Sequence, residues 1–244
     1  MTAEYDPFTG PGLDEQRWVQ AQFLDPDGSL VVAQEDSAKT MVGAGTLEIC
    51  VEKFENKNDF VPNFDNAKHL VVSTQSFPLP DGACTISVEM TAEILGGQDY
   101  SFRRGFAAFN VIDLSTGAIF DHLVTDRESR AVREQLSIPG VGESADPFQW
   151  LVECPITDTC DFTDFHEYAI VFNRSERRVT WLVDQALVFE AGDIDVPDSI
   201  QIGFGLMTLL PFQNGNSASL LGQGINARWR RLRTPPVGSQ GKEL

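Results

Sequence analysis

Lysine, tyrosine and tryptophan are scarce in this 244-residue chain, and no apolar run is long. Eighteen basic residues face 36 acidic ones, for a formal net charge of −18 and a pI near 4.4. That balance repels phosphate backbones and anionic lipid, which excludes nucleic acid and membrane surfaces as partners. No segment approaches the roughly 18 consecutive apolar residues of a spanning helix. The opening MTAEYDPFTGPGLDE is acidic and lacks the charged-then-apolar order of a secretion signal. A cytoplasmic protein with reduced cysteines is therefore expected. Cys50, Cys84, Cys154 and Cys160 include no C-x-x-C and no zinc spacing with histidine. Cys154 and Cys160 are near enough to close a short loop, and their pairing stays open. The chain also has no Gly-x-Ser-x-Gly elbow, no phosphate loop and no dinucleotide fingerprint, so no cofactor is expected.

What is there, 42% hydrophobic and 22% charged residues, suits a folded domain and not a disordered chain. Alternating or β-branched runs follow one another without a helical period. They are Ser29–Ala33, Thr46–Lys53, His69–Phe77, Ala83–Ile94, Phe106–Leu114, Ala118–Thr125, Trp150–Cys154, Glu167–Phe172, Val179–Val183, Ala186–Glu190, Ser199–Leu210 and Asn226–Leu232. Turn clusters such as Asp25-Pro26-Asp27-Gly28, Ser115-Thr116-Gly117 and Pro139-Gly140-Val141-Gly142 punctuate them. Asp126–Leu136 alone reads equally as a helix or a polar strand. This spacing predicts an all-β fold, a two-sheet antiparallel jelly roll with one curved sheet forming a cleft. A single domain over residues 1–233 is expected, with a polar loop at 55–68 and a mobile tail at 234–244.

Three stretches carry a resemblance to a known family. Asp6-Pro7-Phe8-Thr9-Gly10-Pro11-Gly12-Leu13-Asp14, followed by Trp18, resembles the opening strand of concanavalin-A-like glucanases. His166–Phe172, then Val179–Asp184, resembles their hairpin, and Gly105–Asn110 resembles the strand crossing their concave face. The resemblance spans residues 5–233 and implies a glucanase-like sandwich. Retaining glycosidases need two carboxyls about 5–5.5 Å apart. The strand where those glucanases carry Glu-x-Asp-x-x-Glu reads here Gly117–Val124, with only Asp121 and His122 as ionisable groups, so that hydrolysis is not expected. The whole chain is also similar to actinobacterial jelly-roll proteins of macrolide gene clusters, the cofactor-free cyclases of streptoseomycin- and nargenicin-type biosynthesis. That likeness implies transannular (6+4) and (4+2) cycloaddition of a polyene macrolactone. A non-catalytic lectin-like carbohydrate-binding module is the alternative, and a diverged glycoside hydrolase a third reading.

Seventeen Phe against 4 Trp and 3 Tyr favour an apolar ligand, since sugar platforms use Trp and Tyr. The expected cleft is lined by Met90, Asn110, Ile112, Phe120, His122, Glu134, Trp150, Met207 and Leu209, with His69 a further candidate. His122 and Asn110 are the candidate catalytic positions. Asp121 cannot orient His122, because neighbouring strand residues point to opposite faces. Trp150 reads as either ligand-facing or core; Trp18, Trp181 and Trp229 read as core, and His166 as a hairpin cap. Cycloaddition asks for a folded substrate in near-attack geometry and at most a hydrogen bond to a carbonyl. The expected partner is thus an apolar polyketide small molecule, with a homo-oligomer allowed. Asp193, Asp195 and Asp198 read as a solvated turn in preference to a calcium site, and the Arg228–Arg233 run as part of an edge strand.

Overall fold

The structure is a computed structural model that describes residues 3–24, 28–55, 65–96, 100–136, 148–154, 160–209, 212–213, 216–217 and 223–236. Its strands are β1 (Ala3–Glu4), β2 (Trp18–Gln20), β3 (Gln22–Leu24), β4 (Leu30–Val32), β5 (Lys39–Gly43), β6 (Thr46–Val51), β7 (Asp65–Ser73), β8 (Phe77–Pro78), β9 (Ala83–Gly96) and β10 (Phe106–Asp113). They continue as β11 (Ala118–Val124), β12 (Ser129–Gln135), β13 (Phe148–Glu153), β14 (His166–Asn173), β15 (Arg178–Val183), β16 (Ala186–Gly192), β17 (Ser199–Leu209), β18 (Phe212–Gln213), β19 (Asn216–Ser217) and β20 (Gln223–Thr234). Sheet A has the order β16-β15-β14-β9-β20-β6-β5, and β1 adds to β20. Sheet B has the order β13-β12-β11-β10-β17-β7-β2, and β8 adds to β17. The pairings in both sheets are antiparallel. This is the jelly-roll sandwich that the strand spacing predicts.

Alternation builds the core. In β6, Leu47, Ile49 and Val51 are buried while Thr46, Glu48 and Cys50 on the other face are not. Between the sheets meet Phe109, Phe120, Phe204, Tyr168, Phe172, Trp181 and Trp229. Phe204 lies 5.4 Å from Trp229, and Phe120 meets Phe172 edge-on at 5.0 Å. Each large apolar side chain buried contributes about 1.5–3 kcal/mol, so this interior dominates stability. β10 is buried at all eight positions, because sheet B is covered on both faces.

Turn chemistry sets the β10–β11 connection. The Asp113 carboxylate accepts the Ser115 N–H at 2.9 Å and the Ser115 hydroxyl at 2.6 Å, and Gly117 closes the loop at φ +78°. A Cβ at Gly117 would meet the Leu136 carbonyl at 2.6 Å.

Several local expectations change. Asp126–Leu136 contains a strand, β12, and no helix. The arginine run lies on β20, between β9 and β6, and not at an edge. A bulge turns it at Arg231 (φ +54°), where Arg230 and Arg231 both bind Glu89, at 2.6 and 2.7 Å. Residues 65–68 belong to β7, while 56–64, 25–27 and 137–147 lie outside the described residues. Thr234 and Pro235 are buried, so the sandwich continues past residue 233; 237–244 lie outside the described residues. All four cysteines are free thiols. Asp193 and Asp195 bind Arg177 at 3.1 and 2.8 Å, and Asp198 binds Arg174. Among the described residues, no helix is long and apolar enough to cross a membrane.

Candidate functional site on the outer face of sheet B

The two faces of sheet B separate by parity. Ala107, Phe109 and Val111 of β10 point to the shared interior, whereas Phe106 and Ala108 join a second apolar cluster on the outer face. On β11, Phe120 and Val124 point inward and Leu123 outward. Alternation therefore places Asn110 and Asp121 on the outer face. Val132, Met207 and Leu70 join that face from β12, β17 and β7, and Glu134 shares the Val132 side.

A polar cluster divides the apolar surface. On one side lie Phe106, Ala108, Leu123, Val132, Met207 and Leu70; on the other lie Ile112, Ile119 and Leu136. Asn110 and Asp121 are directly opposite one another. The Asn110 amide nitrogen donates to Asp121 Oδ2 at 2.8 Å and approaches Oδ1 at 3.3 Å. The Val111 N–H also donates to Oδ1, at 3.3 Å. Glu134 pairs with Ile119 and is thus diagonal to Asp121, a relation that puts Cα atoms roughly 7–8 Å apart. Asn110, Asp121 and Glu134 are all buried.

Glycines make the floor shallow. Gly205 is opposite Ala108 and Gly203 opposite Asn110. The Leu70 side chain lies over both, so a Cβ at Gly205 would meet its Cδ1 at 2.9 Å and the His69 carbonyl at 2.8 Å. Ala21, Phe23 and Ala33, flanking or within the β3–β4 hairpin, pack on the same cluster. So does a short 3-10 turn, Phe102–Arg104, whose Phe102 stacks on Phe106 at 4.9 Å. The Arg130 guanidinium covers Phe102 at 4.4 Å and is tied to Glu128 at 2.6 Å. Two carboxyls and an amide in an apolar setting can orient one hydroxyl or carbonyl group of a ligand. Among the described residues, no three His, Cys, Asp or Glu side chains gather as a metal site.

The structure brings Asn110, Ile112, Glu134 and Met207 to this face. It turns others away. His122 points inward, wholly buried, with Nε2 3.2 Å from the Ala169 carbonyl of the opposite sheet. Its ring meets Tyr168 edge-on at 5.2 Å, and burial lowers its pKa to about 4 against the pull of the Ala169 hydrogen bond. Phe120 also faces inward, and Met90 sits in the core on sheet A. His69 is buried; its Nδ1 accepts the Glu35 N–H at 3.3 Å, and burial lowers its pKa to about 4. Trp150 lies on the terminal strand β13, on the opposite face from Leu151, and is 47% exposed. The Leu209 side chain lies outside the described residues.

The outward carboxylate of β11 is thus Asp121, one residue from the expected His122. Lys68 was not singled out from the sequence at all. It is fully buried, at the point where the β7–β17 register shifts between His69 and Ala67. Its only sequence signal is a lysine two residues before the apolar Leu70-Val71-Val72, and lysine is almost never fully buried unless paired.

Several solved glucanases share this jelly-roll fold. A Bacteroides ovatus GH16 from a mixed-linkage-glucan locus, bound to its G4G4G3G product, aligns with a TM-score of 0.59 over 92% of this chain and 96% of its own, at 14% identity. LamA of Zobellia galactanivorans, in complex with laminaritriose and laminaritetraose, gives 0.58 over 96% and 98%, at 13% identity. An endo-1,3-β-glucanase of Streptomyces sioyaensis gives 0.58 over 96% and 97%, at 11% identity. Identities this low establish the fold alone. The chain itself belongs to a family of unknown function, DUF6081, whose profile matches residues 17–235. No curated protein matches the sequence.

Proposed function

We propose that this protein binds a compact, largely apolar small molecule on the outer face of sheet B and promotes its cyclisation without a cofactor. Cycloaddition of a polyene macrolactone is the specific reading. The observation that carries it is the buried Asn110–Asp121–Glu134 cluster set between two groups of apolar side chains on that face. Phe106, Leu123, Val132 and Met207 would hold a hydrocarbon chain folded, while the polar cluster fixes one oxygen function. Pericyclic steps develop little charge, so placement of the reacting carbons, about 3–3.5 Å apart, supplies the acceleration.

Incubating purified protein with a linear-polyene macrolactone and following product by chromatography and mass spectrometry tests this. Cyclised product should depend on the protein and fall on the order of 100-fold in Met207→Ala or Leu123→Ala. Asn110→Ala should cost less. No protein-dependent cyclisation would overturn the reading.

A second reading, glycan binding or hydrolysis, draws on the glucanase-like fold and on Asp121 and Glu134 sharing one face. Carboxyls about 6.5–9.5 Å apart suit an inverting mechanism. Against it, Phe23, Tyr100 and Phe102 pack on the surface that an extended glycan would need. Cleavage of laminari- or cello-oligosaccharides, lost in both Asp121→Asn and Glu134→Gln, would establish the second reading and displace the first.

A further inference from the structure

Arg133 lies on β12, opposite Phe120 on one side and Trp150 of the terminal strand β13 on the other. Its guanidinium sits 4.7 Å from the Phe148 ring centroid and 4.9 Å from that of Trp150. The two rings are 5.2 Å apart and tilted by 37°. Burial lowers the Arg133 pKa, with Asp195 acting in the opposite sense. Yet among the described residues Arg133 makes no hydrogen bond and no ion pair. Asp195 is engaged by Arg177 at 2.8 Å. Arg17, Arg130, Arg174 and Arg230 each bind a carboxylate. A half-buried arginine without an anion stands out in a chain with 36 acidic and 18 basic residues.

We infer that Arg133, Phe148 and Trp150 form a recognition site for a small carboxylic acid with a ring or compact apolar body. A guanidinium braced by aromatic rings keeps its in-plane N–H fork for a carboxylate, which it matches in a bidentate way. Desolvating a cation without a partner is costly, and an incoming anion offsets that cost. The exposed face of Trp150 supplies a surface for the apolar body. This site is distinct from the polar cluster of the proposed function, because Trp150 points away from the face that Leu151 joins.

Tryptophan emission reports on it directly: Trp150 is exposed, whereas Trp18, Trp181 and Trp229 are buried. Cyclohexanecarboxylate should change the emission saturably, at least tenfold more tightly than cyclohexanemethanol or inorganic sulfate. Arg133→Gln should weaken the acid at least tenfold, and Arg133→Lys, which keeps the charge but not the fork, should fall between. Saturation-transfer NMR on Trp150→Phe reads binding without the fluorophore, and circular dichroism confirms that each variant folds. Equal binding of acid and alcohol, equal binding of sulfate, or wild-type affinity in folded Arg133→Gln would overturn the assignment. Macrolactone turnover should be unaffected in Arg133→Gln, so either proposal can fail without the other.

Discussion

Asn110 and Asp121 stand directly opposite each other on β10 and β11, with the amide nitrogen 2.8 Å from the carboxylate. The pair is buried, so its hydrogen bonds have no water to replace them. Asp121→Ala leaves the Asn110 amide without its acceptor, at a cost of about 1–3 kcal/mol. The Asn110→Ala/Asp121→Ala double variant should cost clearly less than the sum of the singles, because both remove one interaction. Urea unfolding of the four proteins measures this. Strict additivity would show that the pair is not coupled.

His122 and His69 give the fold a pH dependence. Both have folded-state pKa values lowered to about 4 from the ordinary 6.5, by burial. As pH falls through 6.5 the unfolded chain takes up these protons first, so stability is full above that value and is lost toward pH 4. Each histidine contributes up to about 3 kcal/mol to that loss. Melting temperatures of the wild type should therefore drop between pH 7 and pH 5, and His122→Leu should show a smaller drop. An unchanged pH difference in the variant would contradict the buried, neutral imidazole.

The β15–β16 hairpin turns on Asp184 and Gln185, both at positive φ (48° and 67°). Two-residue turns of this kind favour glycine at the second place, and a left-handed L-residue costs roughly 1–2 kcal/mol. Gln185→Gly should raise stability, by up to about 1 kcal/mol after the entropy that glycine adds to the unfolded chain. Lower stability in urea would mean that the Gln185 side chain contributes a contact that outweighs its backbone strain.

Much of the fold is legible in the sequence because sheet alternation is local. Each of the twelve runs read from the sequence overlaps an observed strand. β2 and β5 were not legible. β2 has three residues and pairs with the distant β7. β5, though it forms a tight hairpin with β6, is a terminal strand with no buried position to show alternation. The site was harder. In β11 both parities are apolar, with Ile119 and Leu123 on one face and Phe120 and Val124 on the other, because sheet B is covered twice. Nothing in that strand alone says which set faces out, and a one-residue choice exchanges every side chain. That choice moves His122 and Phe120 to the interior and Asp121 to the outer face. Trp150 depends on β13 being the end of the sheet, which no local pattern encodes.

The most direct test of the outer-face account labels the methionine methyl groups with carbon-13. Met207 lies on that face, Met90 in the interior and Met41 exposed on the sheet A edge strand β5. Titration with the polyene macrolactone, followed by methyl NMR, should shift the Met207 signal saturably and leave Met90 and Met41 in place. A Met207 signal that stays fixed while cyclised product accumulates would contradict a ligand site on the outer face of sheet B.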